Sequence, residues 1–129
     1  MHVTTYLVDD EPDVRGALTF MLVAAGWPAR AFADGEALLA TLPDLEPGIL
    51  LIDARMPGQD GIELLGRVRE RGIAWPAILM TGHGDLSLAA RAIGAGAVDF
   101  LEKPFGEELL LAALAGAERL LREVPLTSA

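Results

Sequence analysis

Short apolar runs alternate with longer stretches of helical period five times along this chain. The runs VTTYLV (3–8), ARAF (29–32), GILLID (48–53), PAILM (76–80) and AVDFL (97–101) predict strands. The third and fourth are almost uninterrupted apolar stretches, the composition of central parallel strands covered on both faces. After the first strand, Val14, Leu18, Met21, Leu22 and Ala25 recur at helical spacing, with Pro12 in the first turn and AAGWP at the end. The third helix carries Ile62, Leu65 and Val68 on one side and stops at Gly72. In the fourth, Leu86, Ala90 and Ile93 are expected to face inward, leaving Leu88, Arg91, Ala92 and Ala95 outward between the brackets TGHGD and GAGA. The fifth runs from about Glu107 to Glu123 with Leu110, Leu114 and Leu121 inward, and Pro125 follows it.

A (βα)₅ chain closes its crossovers right-handed into a doubly wound, open α/β parallel sheet, most often in the flavodoxin-like order 2-1-3-4-5. In that order the connectivity reverses between strands one and three, and ligands bind off their carboxyl ends. The chemistry is therefore expected in the loops that follow those strands.

Composition narrows the classes of chemistry. The 129 residues suit one domain, and a hydrophobic content of 52% supplies its core. Nineteen acidic against ten basic residues leave a net charge of −9, which argues against a nucleic-acid or anionic-membrane surface. Cysteine is absent, which removes disulfides, thiolate metal sites and cysteine nucleophiles. The longest apolar runs fall far short of the roughly 20 residues that span a bilayer, and residues 1–10 do not read as a secretion signal, so a cytoplasmic protein is expected.

At the strand ends, VDDEPD places Asp9 and Asp10 after the first strand, and LIDARMPGQDG places Asp53 at the end of the third. Neighbouring strands bring these three carboxylates to one small space. Two like charges about 4 Å apart repel by roughly 4 kcal/mol at an effective dielectric of 20, so the trio calls for a cation. A hard divalent ion such as Mg²⁺ (or Mn²⁺) matches an all-oxygen set that keeps some water and accepts a phosphate. The fourth strand ends at Thr81 and the fifth at LEKPF, adding a hydroxyl and an ammonium to the same rim. Lys103 is the one lysine in a chain that otherwise uses nine arginines. A compact ammonium can sit against a carboxylate and a small tetrahedral anion together, where a planar guanidinium is too large and rigid.

With these residues the sequence resembles the receiver domains of bacterial two-component response regulators, the CheY-like fold, over residues 1–122, leaving 123–129 as a short tail. The run TGHGDLSLAARAIGAGAVDFLEKPF is most similar to receivers of FixJ-like regulators, which usually carry a C-terminal helix-turn-helix domain. The resemblance implies that Asp53 is phosphorylated by a sensor histidine kinase or a histidine phosphotransfer protein. It implies Mg²⁺ on Asp10, Asp53 and the Arg55 backbone carbonyl, with Asp9 acting partly through water. Thr81 and Phe100 become the switch hydroxyl and switch aromatic, Lys103 the phosphate-binding lysine, and Lys103–Pro104 a cis bond. The resemblance also implies that Arg55 and His83 flank the path of the water that later hydrolyses the phosphate. The resemblance further implies a domain that is not an enzyme in the ordinary sense, but assists its own phosphorylation and dephosphorylation. The resemblance also implies a phosphorylation-dependent homodimer or target contact through the fourth helix and fifth strand, at Leu88, Arg91, Ala92 and Ala95.

Rival readings fit less well. A flavodoxin-like flavin binder needs a phosphate-cradling loop where DDEPD stands, and those carboxylates repel phosphate. A haloacid-dehalogenase-type phosphatase places its nucleophile after strand one with a second acid two residues on, whereas Arg55 stands two after Asp53. GAGAVD precedes a strand, where a dinucleotide-binding loop follows one. A degenerate receiver serving only as an interaction module lacks part of the Asp10, Asp53, Thr81 and Lys103 set that is intact here.

Overall fold

The computed structural model describes residues 1–82 and 84–123; His83 and the tail beyond Glu123, with Pro125, lie outside the described residues. The elements are β1 (Thr5–Val8), α1 (Pro12–Ala24), β2 (Ala29–Phe32), α2 (Gly35–Thr41), β3 (Ile49–Asp53), β4 (Arg55–Met56), β5 (Gln59–Asp60), α3 (Gly61–Glu70), β6 (Ala77–Thr81), α4 (Leu86–Gly94), β7 (Asp99–Glu102) and α5 (Glu107–Glu123). Five strands form one parallel sheet in the order β2-β1-β3-β6-β7. Counting sheet strands alone, this is the expected 2-1-3-4-5 order. The two-residue strands β4 and β5 pair antiparallel outside that sheet and were not expected, because they hold too few residues to show a period. Gly58 makes their turn at φ +70°, a backbone conformation that costs other residues more.

Side chains of β3 alternate between two cores. Leu50 and Ile52 pack with Leu38, Leu39, Leu65 and Val68 from α2 and α3. Ile49 and Leu51 pack with Leu18, Leu22, Leu110 and Leu114 from α1 and α5. All four β3 side chains are fully buried, each contributing about 1.5–3 kcal/mol of hydrophobic stabilisation. Burial on both faces explains the unbroken ILLI run, and it makes the sheet centre a rigid base for the residue that follows it, Asp53.

The expected orientation of α4 is reversed. Leu88 and Ala92 are 2% and 0% exposed and belong to the core, with Ala89 buried beside them, whereas Leu86 and Ile93 are 74% and 48% exposed. Nearly every residue of LSLAARAI is apolar, so two stripes satisfy the helical period equally well. The inward stripe is the one with Ala89 and Ala92, whose small side chains let the helix lie close against the sheet. Of the four residues first assigned outward, Arg91 and Ala95 are exposed. The other inward assignments agree with the structure, with Leu110 and Leu114 fully buried and Leu121 half-buried on α5.

The N-terminal residues are strapped to α5. Val3 N–H donates to Glu118 Oε2 at 2.8 Å, His2 Nδ1 lies 3.0 Å from Glu118 Oε1, and Arg122 donates to the Met1 carbonyl at 2.7 Å. The His2 ring stacks on Trp27 with 3.7 Å between centroids. Among the described residues no helix is long and apolar enough to cross a membrane.

Candidate functional site

Four strand ends converge at one edge of the sheet. Asp9 follows β1 and is fully buried; its Oδ1 accepts the Glu11 N–H at 2.9 Å, and its Oδ2 lies 3.1 Å from Lys103 Nζ. Asp53 closes β3 at 6% exposure; its Oδ1 accepts the Arg55 N–H at 3.1 Å, and its Oδ2 lies 3.3 Å from the same Lys103 Nζ. Asp10 is half-buried beside them, and one oxygen from each aspartate lies within 4.8 Å of the others. The lysine holds its position through the backbone as well as the side chain: Lys103 N–H donates to the Thr81 carbonyl at 2.8 Å, and the Lys103–Pro104 bond is cis, as the resemblance implied.

Charge in this cluster is imperfectly compensated. At the separations within the trio each pair of carboxylates repels by roughly 3–4 kcal/mol at an effective dielectric of 20, and the Lys103 ammonium meets two of them, Asp9 and Asp53. Burial pushes the Asp53 carboxyl above its ordinary range, outweighing the Lys103 charge and the Arg55 N–H that favour ionisation. Burial also works to lower the Lys103 ammonium, but the charges of Asp53 and Asp9 overcome it and the group is raised. Three carboxylates beside the Lys103 ammonium leave negative charge that a further cation would offset. Among the described residues the donor set of the site is three carboxylates, an all-oxygen set that fits Mg²⁺ or Mn²⁺.

Thr81, at the end of β6, is 2% exposed, and its hydroxyl is 3.5 Å from the Leu101 carbonyl, too long for a firm hydrogen bond. It is therefore available to a better partner. Phe100 is half-buried on β7; since Leu101 points into the core beneath α1 and α5, alternation places Phe100 on the α4 side.

Three interactions around the site were not read from the sequence. Arg15 on α1 donates to the Asp9 carbonyl at 2.8 Å. Gly61, the first residue of α3, runs so close to the backbone of Asp53 that a Cβ there meets the Asp53 carbonyl oxygen and, at 2.8 Å, the Ala54 Cα. Asp85 caps α4 by accepting the Leu88 N–H and also holds the Arg55 guanidinium, with both Nε and Nη2 at 2.9 Å. An aspartate before the apolar run of GDLSL is a signal that could have found the cap, but the second partner of Asp85 lies 30 residues away in sequence.

Comparison with known proteins agrees with this arrangement. The family model for the response regulator receiver domain matches residues 5–115. The transcriptional regulatory protein FixJ of Bradyrhizobium diazoefficiens is 46% identical over 114 residues, covering 88% of this chain and 56% of that protein. FixJ of Rhizobium meliloti is 43% identical over 118 residues, covering 92% and 58% respectively. The chain thus spans little more than half the length of these relatives. Among solved structures, the crystal structure of FixJ-N superposes with a TM-score of 0.90 at 41% identity, covering 98% of this chain and 99% of that one. Full-length FixJ from B. japonicum superposes with a TM-score of 0.88 at 44% identity, covering 94% of this chain and 60% of that one. On its sheet order, its strand-end cluster and these matches, the chain belongs to the response regulator receiver domain family, with its near relatives among FixJ-like two-component regulators.

Proposed function

We propose that this chain is a phosphoacceptor, in which Asp53 takes a phosphoryl group from the phosphohistidine of a sensor kinase or a histidine phosphotransfer protein. The observation that carries the reading is the Lys103 ammonium, within 3.3 Å of Asp53 and 3.1 Å of the fully buried Asp9, beside a third carboxylate. An Asp53 oxygen attacks phosphorus, the P–N bond breaks, and the imidazole leaves with the electron pair. Lys103 and the Thr81 hydroxyl receive the phosphoryl oxygens, the lysine turning from the carboxylates and the hydroxyl from its long contact with Leu101. Asp9, Asp10, Asp53 and the Arg55 carbonyl would hold Mg²⁺ or Mn²⁺. When bound, that ion supplies the neutralising charge that lets a phosphate approach three acids.

The output follows from Thr81. Drawing its hydroxyl toward a phosphoryl group vacates space on the α4 side, where the Phe100 ring can move inward and α4 can shift. The face available for self-association or target binding carries Leu86, Ala90, Arg91, Ile93 and Ala95, in place of the buried Leu88 and Ala92. Residues 1–122 form the receiver, it acts in the cytoplasm, and its net charge of −9 leaves any nucleic-acid contact to other parts of a regulator.

Incubation with acetyl phosphate and Mg²⁺, followed by intact-mass measurement, tests the reading. One labile phosphate is expected on the wild type and none on Asp53→Asn or in the presence of chelator. A full signal on the variant, or none on the wild type, overturns it.

A further inference from the structure

Arg55 connects the reactive carboxylate to α4 within a single residue. Its backbone N–H donates to Asp53 Oδ1 at 3.1 Å, while its guanidinium, 69% exposed at the rim, is held through Nε and Nη2 by Asp85 Oδ2. Asp85 is itself fixed: its Oδ1 accepts the Leu88 N–H at 3.3 Å as the α4 cap and the Ser87 hydroxyl at 3.2 Å. The same carboxylate therefore caps the helix and holds the Arg55 guanidinium.

Resting on the reading of Asp53 as phosphoacceptor, we propose that Asp85 is a positioning residue that sets the lifetime of the aspartyl phosphate by competing with the phosphoryl group for the Arg55 guanidinium. Guanidinium binds phosphate oxygens in the same forked geometry it uses for carboxylate. A phosphoryl group on Asp53 carries up to about two negative charges against one on Asp85, so the two acceptors are matched closely enough for the balance to matter. Hydrolysis proceeds by attack of a water oxygen on phosphorus. The P–O bond to Asp53 breaks, the electron pair returns to the carboxylate, and the water proton leaves with inorganic phosphate or to solvent. Lys103 and Thr81 already meet the phosphoryl oxygens from within the site. Asp53 is 6% exposed, whereas the Arg55 side chain two residues on is 69% exposed at the rim, between the carboxylate and solvent in this proposal. A guanidinium laid across the phosphoryl group closes that approach, and one held by Asp85 leaves it open.

The link also runs outward. Whenever the phosphoryl group captures Arg55, Asp85 loses its ion-pair partner and α4 loses one of the two charged tethers to the segment after β3 found among the described residues. The other is Arg91 to Asp60 at 3.1 Å. Loss of phosphate returns Arg55 to Asp85 and restores the tether.

Asp85→Asn tests this, because asparagine caps a helix as well as aspartate but holds a guanidinium far less strongly. The dephosphorylation rate is followed by intact mass after removal of acetyl phosphate, in wild type, Asp85→Asn, Arg55→Ala and the double variant, each first shown to reach full phosphate occupancy. An exposed ion pair shifts an equilibrium by up to about fivefold, so Asp85→Asn is expected to lengthen the phosphate lifetime by about two- to fivefold. The same substitution in the Arg55→Ala background is expected to have no effect. An unchanged or shortened lifetime in Asp85→Asn, or an equal lengthening without Arg55, overturns the proposal. Failure of the wild type to take up phosphate overturns the phosphoacceptor reading instead.

Discussion

Gly61→Ala and Gly66→Ala make the same substitution in α3, five residues apart, and the structure assigns them opposite signs. At Gly61 the added methyl meets the Asp53 carbonyl oxygen and lies 2.8 Å from the Ala54 Cα, and both obstacles are backbone in the buried sheet centre. Neither can rotate away, so the helix start and the end of β3 must separate, an overpacking cost of about 1–3 kcal/mol. At Gly66 nothing lies within 4 Å of the new methyl, and alanine in a helix interior gains about 0.5–1 kcal/mol over glycine. Neither residue has positive φ, so backbone conformation does not confuse the comparison. The two variants should differ by about 1.5–4 kcal/mol, or roughly 5–20 °C in Tm for a domain of this size. Urea or thermal unfolding measures that difference. Because the displaced backbone includes the Asp53 carbonyl, Gly61→Ala should also phosphorylate more slowly with acetyl phosphate, whereas Gly66→Ala should match the wild type. Equal melting temperatures, or a Gly61→Ala variant that is more stable than wild type, would refute the argument that this close approach fixes Asp53.

Further outcomes follow from other contacts. Lys103→Arg should keep the fold, since charge still faces Asp9 and Asp53, but lose most phosphorylation-driven switching; switching like the wild type would show that the compact ammonium is not required. Leu88→Ala should cost about 2–5 kcal/mol as a core truncation, whereas Ile93→Asp should leave Tm nearly unchanged and, by sedimentation with beryllofluoride, weaken any self-association. Glu118 is held below its ordinary carboxyl range: burial works to raise it, but the His2 hydrogen bond, the Val3 N–H and the Arg122 charge prevail. A depressed acid stabilises the fold above its unfolded value of 4.5 and loses that contribution as pH falls through the lower folded value. Glu118→Gln should therefore melt below wild type by about 1 kcal/mol near neutrality, with the gap closing as pH falls through the lowered folded value; a gap that persists once Glu118 is protonated would show that charge is not its cause.

Much of the fold and site was legible because parallel strands advertise themselves. ILLID and PAILM are buried on both faces, and once they are placed, Asp9, Asp10, Asp53, Thr81 and Lys103 fall at strand ends on one rim. What the sequence left open was orientation and partnership. The eight residues of LSLAARAI satisfy two inward stripes, and only the sheet's demand for close approach selects Ala89 and Ala92. The ranking of the acidic pair was equally hidden. Asp9 is the fully buried partner of Lys103 while Asp10 stays half-buried, a difference of backbone direction just past β1 that two adjacent identical letters do not encode. Ion pairs such as Arg55–Asp85 and the His2–Glu118 strap join residues 30 and 116 positions apart, with no local pattern to announce them.

The separation in sequence of the residues meeting at Lys103 bears on biogenesis. Asp9 and Lys103 are 94 positions apart, Asp53 and Lys103 are 50 apart, and they meet only when β7 has docked against β6, and β1, β3 and β6 lie in register between them. A nascent chain that has exposed Asp9, Asp10 and Asp53 but not residue 103 holds three acids with no ammonium to offset them. If Asp53 is the phosphoacceptor proposed above, phosphate uptake would serve as a certificate of completed assembly, since a nicked or half-folded copy would present Asp53 without the Lys103 contact.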